Sequence, residues 1–143
     1  MYSVPFSTGI DTPFADSVVS AARTTLGDSL RSVIYFGEHE MDLLYVRKDL
    51  YETEQGAMEV KSRLVEFERI GFDEAPIRSV LSVPNDPSSI GTYEFTVRIH
   101  DDGYVIRILG DSVGVLLTTD EMDVEAFEDA AEAITRLLKD PVG

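Results

Sequence analysis

Three short runs in this chain are apolar at nearly every position: Val33–Phe36, Leu43–Val46 and Val113–Leu117. Successive side chains of a strand point to opposite faces of the sheet. A strand without a polar face therefore has no side left for water. If these runs are strands, their sheet must be covered on both sides, and only helices or a second sheet can do that.

Helical periodicity supplies the cover. Asp11-Thr12-Pro13 reads as a helix start, with a capping side chain followed by proline at the first helical position. Phe14, Val18, Ala21, Ala22 and Leu26 then mark an apolar face, and Gly27 is a stop. A second helix is predicted to begin between Asp49 and Thr53 and to end near Gly71, with Ala57, Val60, Leu64 and Phe67 as its apolar face. Asp73-Glu74-Ala75-Pro76 breaks it. Ile77–Val83 is compatible with either a short helix or an extended segment, and Pro84–Ser89 is a loop. A last helix starts at Asp120 or Asp123 and runs to Lys139. It carries Phe127, Ala130, Ala131, Ile134, Leu137 and Leu138 inward, with Arg136 and Lys139 placed to suit its dipole.

The strands are Leu30–Phe36, Met41–Val46, Thr92–His100, Tyr104–Leu109 and Ser112–Thr118. Gly37–Glu40, Asp102-Gly103 and Gly110-Asp111 are tight turns, so the pairing is antiparallel. The predicted fold is α+β. A five-stranded antiparallel sheet is covered by one helix on one face and two on the other, in the order α-β-β-α-β-β-β-α. Residues 1–10 are expected to be loosely ordered, ahead of a single domain over 11–143.

Charge narrows the function classes. Acids number 27 against 12 bases, a formal net charge of −15, and only Lys48, Lys61 and Lys139 are lysines. The acids are spread along the chain rather than gathered in a tail. Dispersed acidity with few lysines resembles cytoplasmic proteins of halophilic archaea, where salt screens self-repulsion. It argues against nucleic-acid binding, which needs a basic face. Met1–Pro5 lacks the basic and apolar regions of a signal peptide, and no apolar run approaches the ~20 residues of a membrane span, so a cytoplasmic protein is expected. Cysteine is absent, which excludes disulfides and thiolate chemistry.

This element order, from Asp11 to Lys139, resembles the roadblock family of small dimeric adaptor domains, related in shape to profilin and longin domains. Separately, Leu43–Leu50 (Leu-Leu-Tyr-Val-Arg-Lys-Asp-Leu) resembles a segment of small uncharacterised haloarchaeal proteins. Roadblock domains pair through a sheet edge and a helix, and they regulate small GTPases or tether complexes. The resemblance therefore implies a non-enzymatic adaptor with no cofactor, a homodimer or a small GTPase partner, and no membrane or nucleic-acid partner. Its docking surface is expected on the second helix or on the Thr92–His100 strand.

No residue set converges on catalysis. His39, in Gly37-Glu38-His39-Glu40, and His100, in His100-Asp101-Asp102-Gly103, read as hairpin-turn residues rather than metal ligands or acid–base pairs. Ser88-Ser89-Ile90-Gly91 and Gly110–Gly114 match neither a phosphate loop nor a nucleophile elbow. Arg47 and Lys48 stand just before a helix start. There they suit an anion or an acidic partner, or else ion pairs with Asp49, Glu52 or Glu54. Arg98 and Arg107 lie on paired strands near Glu94, on a solvated sheet face or an interface. Tyr35, Tyr45, Tyr93 and Phe95 read as core, with the lining of a small-ligand pocket in a PAS-like sensor as the alternative.

Overall fold

The computed structural model describes residues 12–50 and 53–139; the expected loose N-terminus and Asp11 lie outside the described residues, and the first helix starts at Thr12, one residue before the expected Pro13. Helix α1 spans Thr12–Leu26 and buries Phe14, Val18, Ala22 and Leu26, one residue per turn. It stops at Gly27, whose φ of 56° lies in the left-handed region that glycine adopts without a Cβ clash. Strands β1 (Leu30–Gly37) and β2 (Met41–Val46) follow, and the Gly37 N–H donates to Glu40 O across their turn at 2.9 Å. Helix α2 covers Glu54–Glu68, capped by the Thr53 hydroxyl, which accepts from Gly56 N–H at 3.0 Å.

Two short helices follow, α3 (Ile70–Asp73) and α4 (Ala75–Leu81). The predicted second helix thus ends at Glu68, and the break expected over Asp73–Pro76 falls between the two short helices. Pro76 sits in the first turn of α4, where its missing N–H costs nothing. Ile77–Val83, ambiguous in sequence, is helical as far as Leu81. Strands β3 (Thr96–Ile99), β4 (Tyr104–Leu109) and β5 (Val113–Thr119) lead to α5 (Val124–Lys139). Asp123 caps α5, accepting from Ala126 N–H at 3.0 Å.

The sheet order is β2-β1-β5-β4-β3, and every neighbouring pair is antiparallel. The expected strand over Thr92–His100 is regular only from Thr96 to Ile99. Alternation records which residues are apolar, but a ladder also needs a partner, and β3 has one on a single side.

Side-chain alternation builds two cores. On one face Val33, Tyr35, Ile106, Ile108, Val115 and Leu117 pack against α1 and α5; Phe14 meets Tyr35 edge-on at 5.6 Å between ring centroids. On the other face Ile34, Phe36, Leu43, Val105 and Leu116 lie under α2. Each fully buried Leu, Ile or Phe contributes about 1.5–3 kcal/mol. The order, the antiparallel sheet and the division of two long helices against one agree with the sequence reading.

Candidate interaction surface

Among the described residues strand β3 is an end of the sheet and pairs only with β4. Its far side meets no strand among the described residues, and Ile99 at its end is 70% exposed. Above this edge lies the C-terminal half of α2. The sequence reading placed Val60, Leu64 and Phe67 toward the sheet. The structure turns the helix by one residue instead: Ala57, Lys61, Val65 and Glu68 face inward. Val60 and Phe67 are 50% and 59% exposed, Leu64 is half-buried between them, and Ile70 continues the outer stripe.

A buried ion network sets this orientation. The carboxylate of Glu68, fully buried, accepts from Arg98 Nε at 2.6 Å and from Arg107 Nη1 at 3.3 Å. Arg107 Nη2 donates to Glu74 at 2.6 Å and to the Thr96 hydroxyl at 3.0 Å. Tyr93 hydroxyl shares a 2.7 Å hydrogen bond with Thr96. Gly71 permits this packing, because a Cβ there would lie 2.7 Å from Arg107 Cζ. Arg98 completes the surface by stacking its guanidinium over Phe67, 4.6 Å from the ring centroid.

The four basic residues singled out in the sequence therefore occupy two places. Arg98 and Arg107 are joined through Glu68 beneath α2. Arg47 lies at the opposite end of the chain's β2–α2 connection, where it binds both oxygens of Asp120, at 2.5 and 3.2 Å, and Asp49 at 2.8 Å. Its Nη1 also reaches Asp28 O at 2.9 Å, and Arg31 grips Asp120 from the far side at 2.8 Å. The hydrogen bond from Arg47, and then that from Arg31, hold the Asp120 carboxyl below the usual range. Asp49 was one of the expected partners of Arg47; Glu52 and the side chain of Glu54 lie outside the described residues. Asp120 sits 73 residues away in sequence, and spacing gave no signal of it. Lys48 is exposed in the same connection.

His39 and His100 stand at the two hairpin turns. Tyr35 and Tyr45 are buried in the α1–α5 core and Phe95 packs partly against it. Tyr35 and Tyr93 also line an open cleft of about 720 Å³ at the end of the sheet, between α4, the β4–β5 turn and the end of α5. No helix among the described residues is long and apolar enough to cross a membrane.

In its fold the chain is similar to the gliding protein MglB from Thermus thermophilus, with a TM-score of 0.57 and 14% sequence identity over 96% of this chain and 99% of that one. That likeness agrees with the roadblock-like order read from the sequence. No curated protein matches the chain. A family model described as a domain of unknown function, DUF7522, matches residues 16–139, and the chain belongs to that family.

Proposed function

We propose that this protein is a non-enzymatic regulatory adaptor that works as a homodimer, pairing through α2 and the β3 edge. The observation that carries the reading is the apolar stripe of Val60, Phe67 and Ile70, left outward beside an open sheet edge. Covering a half-exposed side chain of this size contributes about 1 kcal/mol, and the edge supplies main-chain hydrogen bonds that add affinity, while the side chains beside it select the partner. A small GTPase is the further partner implied by the roadblock resemblance. The acidic surface, −15 in formal charge, suits the salt-rich cytoplasm of a halophilic archaeon and favours a partner with a basic face.

Light scattering after size exclusion, in about 2 M KCl where the Debye length is only a few ångströms, tests the dimer. The wild type should run as a dimer. Phe67→Glu should run as a folded monomer, because its side chain is already exposed. A wild-type monomer, or an unaltered Phe67→Glu dimer, overturns the reading. Titration with the host's small GTPases, loaded with GDP or a non-hydrolysable GTP analogue, tests the second partner; failure of all of them to bind removes that class.

A further inference from the structure

The open cleft at the end of the sheet runs against the charge of the rest of the chain. Acids outnumber bases 27 to 12 overall, yet the cleft is lined by two cations, Arg78 and Lys139, and one acid, Asp111. Its volume of about 720 Å³ lies in the range that holds a small organic molecule. The apolar part of its wall comes from Leu109, Val113, Leu138 and Tyr35.

Arg78 is the group placed to recognise a ligand. Its Nη1 donates to Gly71 O at 2.7 Å, and the guanidinium stacks over Tyr93, 4.6 Å from the ring centroid. These contacts fix the plane of the guanidinium without neutralising it. Its ion-pair partner, Glu74, stands 3.6 Å away, beyond hydrogen-bond length, and the same carboxylate oxygen already accepts from Arg107 at 2.6 Å. Nε and Nη2, which form one edge of the guanidinium, have no hydrogen-bond partner among the described residues, and the side chain is 20% exposed. Tyr35, 9% exposed, also lines the cleft, and its hydroxyl has no hydrogen-bond partner among the described residues. Polar groups this far from water favour a ligand that satisfies them.

A pre-oriented guanidinium edge matches the paired oxygens of a carboxylate. Inorganic phosphate would leave the apolar wall uncovered. A neutral apolar molecule would bury Arg78 without a counter-charge. We propose that this cleft binds a small carboxylate with an apolar body, the carboxylate on Arg78 and the body against Val113 and Leu138. The site shares no residue with the apolar stripe of α2 and stands apart from the dimer reading.

Phenylacetate is the probe, titrated into the full chain at the lowest salt that keeps it folded and followed through the methyl NMR shifts of Val113 and Leu138. Wild type should bind it with a Kd of about 1 mM or tighter. The alcohol 2-phenylethanol keeps the ring and removes the charge, and it should bind about tenfold more weakly. Arg78→Met should lose about tenfold in affinity for the acid and little for the alcohol. Ser79→Trp, at an exposed position on the cleft wall, should block both while leaving Arg78 in place. Phe67→Ala, on the α2 stripe, should change neither. Should Arg78→Met fail to fold, the acid–alcohol comparison and Ser79→Trp carry the test. No binding of phenylacetate, equal affinity for acid and alcohol, or binding that survives Ser79→Trp overturns the site. A wild-type monomer overturns the dimer and leaves this site standing.

Discussion

Raising the pH above neutrality should stabilise this protein, through one lysine. Lys61 sits on the inner side of α2, 5% exposed, and burial, with Arg31 adding a like charge, brings its pKa down to about 8 from 10.5. Between those values the unfolded chain still holds the proton and the folded chain has released it. The unfolded state then binds more protons, so stability rises with pH across that window. The gap between about 8 and 10.5 sets a ceiling of roughly 3 kcal/mol, and about 2 kcal/mol of it is gained by pH 9.5. For a domain of this size that is an increase in Tm of about 4–8 °C. The scan should stop short of pH 10, because burial raises the phenols of Tyr35 and Tyr45. Their contribution is complete below the ordinary tyrosine value and is lost as the pH climbs above it. Lys61→Met keeps the length of the side chain and removes the charge. It should be more stable than wild type at pH 7 and should lose the rise between pH 8 and 9.5. Equal slopes in wild type and Lys61→Met, measured by thermal or urea unfolding, would refute the assignment.

Glu68→Gln should cost about 3 kcal/mol in urea unfolding, because it leaves Arg107, 2% exposed, with one carboxylate instead of two; adding Arg107→Met should recover most of the loss. Asp120→Asn should lower stability by about 1 kcal/mol by loosening the Arg47 and Arg31 grip. It should also flatten the acid limb: the Asp120 contribution is complete above the ordinary carboxylate value and fades as the pH falls from there toward its depressed folded value. An acid-unfolding curve that superimposes on wild type would contradict that role.

The parts of the fold that were legible in sequence are those written by local chemistry. Gly27 and the Phe14–Leu26 stripe each specify their backbone through neighbours a few residues away, and each stands where it was expected, whereas the turn expected at Asp102-Gly103 falls one residue earlier, on Asp101-Asp102, because His100 N–H donates to Gly103 O. Runs such as Val115–Leu117 announced a sheet with two covered faces, and both cores are present. What was misread depends on distant partners. Arg47 was seen as a cation beside a helix start, but its main carboxylate, Asp120, arrives from the β5–α5 connection. The inner face of α2 was misassigned because hydrophobicity alone ranks Val60 and Phe67 above Lys61 and Glu68. The arginines contributed by β3 and β4, distant in sequence, help make the reverse orientation favourable.

That reversal bears on what the surface is for. Turning α2 back by about 100°, one residue's rotation, would bury Val60 and Phe67 and return Lys61 to water. For an isolated chain this would gain about 1 kcal/mol for each of Val60 and Phe67, offset by a similar total as fully buried Val65 leaves the core, and it would remove the cost of desolvating the lysine. Against it stands Arg107, which would lose Glu68 while staying buried, a penalty of about 3–5 kcal/mol. Arg69 would also give up its bonds to Gly37 O and Glu40 O, both at 3.0 Å, which tie the end of α2 to the first hairpin. Charged contacts therefore fix the helix in a pose that leaves its apolar stripe outward beside the open strand. A stripe disfavoured in the free chain and adjacent to the sheet edge is satisfied in one move by a second surface that brings both a strand and an apolar helix. A second copy of this chain has both, in two-fold arrangement, which is why the dimer reading accounts for the buried charges and the exposed apolar residues together.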